Sequence, residues 1–64
     1  MIKVTDRQDG NIIYINEDHI ESIIDNTHGA DIFVPDGPAP YQVAESAQFV
    51  CELIRIEQKR RNNK

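Results

Sequence analysis

One cysteine in this sequence could act as a nucleophile if a histidine lay beside it. The chain contains a single cysteine, Cys51, and two histidines, His19 and His28. An imidazole next to a thiol is the usual way to activate it for covalent catalysis. Cys51, however, falls within the apolar stripe of a predicted helix, where a cysteine is more often a small packing residue. We therefore predict that Cys51 packs in the core and is not catalytic.

Acids and histidines between residues 18 and 28 are the candidate metal ligands. They are Asp18, His19, Asp25 and His28. A protein metal site needs three or more converging ligands, and these four residues follow none of the usual ligand spacings. The sequence therefore predicts a solvated loop here, with no metal and no other cofactor.

The length of the chain also argues against an enzyme. Sixty-four residues leave little room for a closed pocket that holds an acid and a base and excludes water. The turn at Asp36-Gly37 does not resemble a phosphate loop, because a lone glycine followed by Pro38 offers few free amide groups. We predict no catalytic residues.

The formal net charge of −4 conceals a division of the chain. Up to residue 54, two basic residues stand against ten acids, whereas from residue 55 onwards five basic residues stand against one acid. An acidic body repels a phosphate backbone. The basic end has no aromatic residue that could stack on a base. The sequence therefore argues against nucleic-acid binding.

Alternation of apolar and polar residues predicts several short strands separated by turns. We place these strands at about residues 2–6, 11–16, 20–25, 30–35 and 41–44. Between the second and third strands, Asn16 is suited to cap a short helical turn that contains Glu17 and Asp18. The prolines before Tyr41 predict an edge position for the last strand, because proline cannot donate to a central ladder.

The second strand is apolar on both of its faces. Ile13 and Ile15 point to one side, and Ile12 and Tyr14 point to the other. A strand that is half-buried normally alternates between apolar and polar residues, whereas a strand covered on both faces does not. We therefore predict that this strand is central in the sheet.

From Ser46 the apolar period becomes that of a helix. An amphipathic helix is predicted over about residues 47–60, with Ser46 as its N-cap and a frayed basic tail over residues 61–64. Glu57 and Arg61 are spaced for an ion pair along the helix. The predicted fold is α+β: a single domain of residues 1–64 in which a four- to five-stranded antiparallel β-meander packs against one C-terminal amphipathic helix.

The small size of the chain predicts self-association. A domain of about 60 residues buries only about 60% of the surface that its unfolded chain exposes, and one cysteine cannot form an internal disulfide. The predicted helix has a wider apolar face than a small sheet needs, so we expect a homo-oligomer, with a dimer favoured. No segment reaches the roughly 20 apolar residues of a membrane span, and the amino-terminal residues lack the pattern of a signal peptide, so we expect a cytoplasmic protein.

Several short motifs resemble a known bacterial family. The residues concerned are Ile2-Lys3-Val4-Thr5, Tyr14-Ile15-Asn16, Ile20-Glu21 with Ile23, the turn at Gly37, and Val43 with Glu45-Ser46 ahead of Val50 and Ile54. Together they resemble the small flagellar and swarming-motility family called FlbD or SwrD. The resemblance covers nearly the whole chain, and most of the matching positions are structural.

The resemblance implies an accessory protein without enzymatic activity that supports motor power or swarming. It marks Asn16, Glu21, Glu45 and Ser46 as polar positions of the family and assigns no catalytic role to them. The turns at residues 7–10, 26–29 and 36–38 depart from the usual family pattern. An alternative function is therefore a small binding module or inhibitor of a host protein, encoded by a phage or another mobile element.

Both functions predict a protein partner, and three groups of residues are candidates to bind it. The first is the acidic bend with Glu17, Asp18 and Glu21, and the second is the apolar helix face with Phe49 and Ile56. The third is the basic end of the helix, with Arg55, Lys59 and Arg60.

Overall fold

The computed structural model describes residues 1–35, 37 and 39–62. In these residues the chain forms five strands, a short 3-10 turn and one helix, which confirms the α+β class. In chain order they are β1 (Ile2–Thr5), β2 (Ile12–Ile15), the 3-10 turn Glu17–His19, β3 (Ser22–Asn26), β4 (Gly29–Phe33), β5 (Tyr41–Val43) and α1 (Ala47–Asn62). The strand bounds lie within two residues of those predicted.

The strands form two antiparallel sheets and not the single meander predicted from the sequence. One sheet contains β1 and β2, and the other has the order β3-β4-β5. The break falls at the 3-10 turn, where the Asn16 side chain accepts a hydrogen bond from the Asp18 N–H at 3.0 Å. The predicted cap at Asn16 is thereby confirmed. Because the chain changes direction here, β3 pairs with β4 and not with β2.

The two sheets meet where β1 ends, through backbone hydrogen bonds to the end of β5. The Ala44 N–H donates to the Thr5 carbonyl, and the Arg7 N–H donates to the Gln42 carbonyl, each at 2.9 Å. An isolated antiparallel bridge between Asp6 and Val43 lies between these bonds. We call this set of contacts the sheet junction. It places β5 beside the end of β1, so that both sheets cover one core.

The second strand lies at an edge, which contradicts the central position predicted for it. β2 pairs with β1, and among the described residues no strand pairs with its other side. Ile15 is buried, whereas Ile12 and Tyr14 are 49% and 63% exposed. The last strand, β5, does lie at the edge of its own sheet, as predicted.

A core of seven buried apolar side chains connects the sheets and the helix. These residues are Ile2, Val4, Ile15, Ala30, Ile32, Val43 and Val50. Val50 is the residue of α1 that is fully buried, and Leu53 and Ile54 pack beside it. Cys51 is exposed, so its predicted core role is wrong. Its place on the helix, one residue after Val50, turns it away from the sheets.

The helix begins as predicted and ends later than predicted. The Ser46 hydroxyl accepts a hydrogen bond from the Phe49 N–H at 3.2 Å, which confirms the N-cap. The Asp25 carboxylate of β3 accepts a second bond from the Ala47 N–H, a cap that sequence reasoning missed. The helix continues to Asn62, so the frayed tail was placed too early. Residues 63 and 64 lie outside the described residues. No helix among the described residues is long and apolar enough to cross a membrane.

Gly29 is required by a close approach between two strands. Its φ of 145° lies in a region that side chains disfavour, and a Cβ atom built there would collide with the Val43 carbonyl oxygen. The glycine therefore lets β4 begin directly against β5 after the turn at Thr27 and His28.

Replacement of two isoleucines on neighbouring strands should change the stability of the protein to very different extents. Ile32 of β4 is fully buried, and Ile24 of β3 is 54% exposed. Ile32→Ala should lower the free energy of unfolding by about 2–5 kcal/mol, which removes most of the stability expected of a domain this small. Urea denaturation would measure it, with Ile32→Val as a milder variant. Ile24→Ala is the matched control and should change the stability by less than about 1 kcal/mol. Equal losses for both alanine variants would contradict this description of the core.

Candidate functional site

The carboxylate of Glu17 is buried at the centre of an ion-pair cluster. The residue is 6% exposed. Its Oε1 lies 2.9 Å from the Met1 ammonium nitrogen, and its Oε2 lies 3.6 Å from the Arg61 Nε. Apart from that ammonium group, no described group donates a hydrogen bond to Oε1. Glu17, one of the partner-binding residues predicted from the sequence, is therefore buried among charges of this chain.

Arg61 connects the end of the helix to the acidic bend. Its two terminal nitrogens donate to the two oxygens of Asp18, at 2.6 and 3.0 Å. This fork geometry is the strongest that an arginine and a carboxylate can form. The predicted pair between Glu57 and Arg61 is not formed, because Glu57 instead lies 3.2 Å from Arg60 and 3.7 Å from the Met1 ammonium. We call Met1, Glu17, Asp18, Glu57 and Arg61 the Glu17 cluster.

The charges of this cluster support one another. The hydrogen bond from the Met1 ammonium lowers the pKa of Glu17, and a backbone N–H and Arg61 contribute in the same direction. Hydrogen bonding by Arg61 likewise lowers the pKa of Asp18. In return, the hydrogen bond to Glu17 raises the pKa of the Met1 ammonium above its ordinary value. The cluster therefore favours the charged forms of Met1, Glu17, Asp18 and Arg61. It also ties the start of β1, the 3-10 turn and α1 together.

An open groove with a volume of about 530 Å³ lies beside the Glu17 cluster. It runs between the 3-10 turn, the residues that lead into β3, the segment after β4 and the start of β5. Its apolar lining consists of Ile15, Ile20, Val34, Pro35 and Tyr41. Its polar side chains are Asp18, His19 and Glu21, and Gly37 completes the lining. We call this surface the acidic groove.

The groove combines apolar surface with negative charge. Neither lysine nor arginine is present in its described lining. Asp18 is already bound to Arg61. Glu21 is exposed, and its carboxylate has no hydrogen-bond or ion-pair partner among the residues that the structure describes. The groove therefore presents one unpaired carboxylate next to an apolar floor.

Backbone hydrogen bonds hold both walls of the groove. The Glu21 N–H donates to the Phe33 carbonyl at 2.8 Å, which extends the pairing of β3 with β4 beyond Ser22. Opposite, the Gly37 N–H donates to the Val34 carbonyl at 3.2 Å and closes a turn. The groove is therefore built on the ends of paired strands.

The predicted partner-binding residues divide among three places. Asp18 and Glu21 line the acidic groove, and Glu17 is buried beside it. The other candidates lie on α1 and do not line the groove: Phe49 and Ile56 are 51% and 54% exposed, and Arg55, Lys59 and Arg60 are also exposed. The acidic bend and the basic helix end are in contact through Arg61.

The residues considered first for chemistry are not brought together. His19 lines the acidic groove, whereas Cys51 lies on the exposed side of α1. Across residues 1–35, 37 and 39–62, no group of three or more histidines, cysteines and acids is placed to hold a metal ion.

Three apolar residues of the groove were not predicted from the sequence. Val34, Pro35 and Tyr41 face the acidic bend from a distant part of the chain, and no local pattern marks them.

Comparisons of this chain with protein-family models, with curated proteins and with solved structures found no match.

The Glu17 cluster predicts a loss of stability at both ends of the pH range. Glu17 has a lowered pKa in the folded protein, so its contribution is present above its unfolded pKa of about 4.3 and is lost as the pH falls below that value. The Met1 ammonium has a raised pKa, so its contribution is complete below about pH 8 and is lost as the pH rises above it. Urea denaturation at pH 3, 7 and 9.5 would measure both effects.

Glu17→Gln should lower the free energy of unfolding at pH 7 by about 1–3 kcal/mol, because a charged hydrogen bond is lost. The further losses of stability at pH 3 and at pH 9.5 should both be smaller in this variant than in the wild type. Glu52→Gln is the control, since the exposed pair of Glu52 and Arg55 is worth at most about 1 kcal/mol. A pH dependence unchanged in Glu17→Gln would contradict the role of the cluster.

Proposed function

We propose that this protein is a non-enzymatic accessory protein that acts by binding another protein through the acidic groove. The observation that carries the proposal is the Glu21 carboxylate, which lies unpaired among the described residues and next to apolar groove surface. An open concave surface with a few polar groups is a usual binding site. Ile20, Val34 and Tyr41 line the same groove as Glu21 and supply its apolar surface.

The chemistry of the groove selects a partner segment that carries an arginine or a lysine beside apolar residues. The cation would pair with Glu21, and the apolar residues would cover the floor. Tyr41, which is 40% exposed, offers an aromatic face to the same cation. Arg61 already binds Asp18 at the rim of the groove in the fork geometry that a partner arginine would use at Glu21.

The setting we propose for this contact is the bacterial flagellar motor and swarming motility. It is supported by the resemblance to the FlbD or SwrD family, in which Glu21 is one of the matching polar positions. In this setting the protein would bind a basic segment of a motor-associated protein and would not carry out chemistry.

The motility proposal predicts the behaviour of a charge-reversed variant. Deletion of the gene in the source bacterium should reduce swarming while leaving the filaments normal, and the wild-type gene should restore swarming. Glu21→Arg should fail to restore it, because the groove would repel a basic segment. Glu52→Arg, an equal charge change on the exposed side of α1, should restore it. Full restoration by Glu21→Arg would exclude the groove as the site, and a source without flagella would overturn the motility assignment.

Binding chemistry can be tested without the cell. In NMR titrations of the labelled full chain, the peptide acetyl-Ile-Arg-Ile-amide should shift the amide signals of residues 19–21, 34 and 41. The peptide acetyl-Ile-Glu-Ile-amide should leave them unchanged. In Glu21→Gln the affinity for the arginine peptide should fall by about fivefold, the factor that an exposed ion pair of about 1 kcal/mol supplies. Equal shifts from both peptides would contradict the proposed charge selectivity.

A further inference from the structure

The free edge of β2 conflicts with the composition of that strand. Ile12 to Ile15 are apolar on both faces, as in a central strand, yet β2 pairs only with β1 among the described residues. Ile12 is 49% exposed and Tyr14 is 63% exposed. Within residues 1–35, 37 and 39–62, the strand therefore leaves both apolar side chains and main-chain groups without a partner.

The hydrogen-bonding groups of this free edge can be assigned from the register. The Asp6 N–H donates to the Asn11 carbonyl at 2.8 Å, and Thr5 and Ile12 form the next pair. Hydrogen-bonded and non-hydrogen-bonded pairs alternate in an antiparallel ladder. Ile13 and Ile15 therefore bond to β1, whereas Ile12 and Tyr14 direct their N–H and C=O groups away from it.

This edge lacks the features that normally prevent edge-to-edge association. Natural edge strands usually carry a charged residue, a proline or a bulge. Residues 11–16 contain neither a charge nor a proline. The outer strand of the other sheet differs, because β3 includes Asp25.

We propose that β2 pairs antiparallel with β2 of a second copy of this chain, around a two-fold axis at Ile13. In this register Ile12 lies opposite Tyr14 of the partner subunit, and the two resulting pairs exchange four main-chain hydrogen bonds. The core-facing residues Ile13 and Ile15 stay on one face of the combined sheet. Aromatic and β-branched side chains opposite one another stabilise such a sheet.

Three observations favour a second copy as the occupant. The uncharged segment is compatible with itself across a two-fold axis, which is the commonest symmetry of protein dimers. Pairing would extend the two-stranded sheet to four strands, and two strands alone are marginal. It would also make β2 a central strand, the position that its apolar composition favours. The exposed apolar residues of α1 are a weaker candidate interface, since Phe49 and Ile56 are single side chains with Glu52 and Arg55 between them in sequence. The interior of a helix also exposes no unpaired main-chain edge.

The association state of the full chain tests this inference. Sedimentation velocity over a range of concentrations should show a dimer for the wild type. Tyr14→Lys should raise the dimer dissociation constant by about 30-fold or more, as expected for a central interface residue. Ile56→Lys is the matched control, because Ile56 is 54% exposed and receives the same charge, and it should leave the dimer intact. Circular dichroism would establish that each variant is folded, and Ile12→Lys replaces Tyr14→Lys if the latter does not fold.

Hydrogen exchange on the wild-type chain gives a second readout that needs no variant. In the dimer, the amide hydrogens of Ile12 and Tyr14 should exchange slowly. Dilution to the monomer should raise their exchange rates, while the amide hydrogens of Ile13 and Ile15 remain protected. A wild-type chain that stays monomeric at high concentration would overturn the inference. A dimer that is broken by Ile56→Lys and unaffected by Tyr14→Lys would assign the interface to the helix and overturn it as well. Neither result bears on the acidic groove.

Discussion

The hydrogen bonds of the sheet junction hold the two sheets against one core. Residues 5–7 at the end of β1 pair through their main chains with residues 42–44 at the end of β5, which joins segments nearly 40 residues apart. The Thr5 N–H also donates a hydrogen bond to the Glu45 carboxylate at 2.9 Å. Without the sheet junction, the two-stranded hairpin would be an isolated element of marginal stability. With it, Ile2 and Val4 of the hairpin share a core with Ile32 and Val43, and one helix can cover both sheets.

The Glu17 cluster joins the start of β1, the 3-10 turn and the end of α1, and it lies beside the candidate binding surface. Glu17 and Asp18 are neighbours in one 3-10 turn, yet the first is buried and the second is shared between Arg61 and the groove. A buried carboxylate is tolerated only with charged partners nearby, and here these come from the first residue and from the last turn of α1. The contact that holds the helix end therefore also shapes one wall of the acidic groove.

Local features of the chain were largely predictable from its sequence. Alternating residues located the five strands, and the caps at Asn16 and Ser46 followed from side chains that bond to nearby amides. The errors concern long-range contacts. Cys51 is exposed because the helix rotates it away from the sheets, Glu17 is buried because Met1 and Arg61 surround it, and β2 lies at an edge because the 3-10 turn separates it from β3.

The α+β class, the approximate positions of the strands and the helix, and the division between an acidic body and a basic end could all be predicted from the sequence. They depend on periodicity, turn chemistry and composition. Three properties could be seen only in the tertiary structure. They are the division of the strands into two sheets, the pairing of some carboxylates and the exposure of others, and the groove that Val34 and Tyr41 form with Glu21. These properties depend on contacts between residues far apart in the chain. A local pattern of side chains does not predict such contacts, since a strand with the pattern of β2 can lie at the centre of a sheet or at its edge.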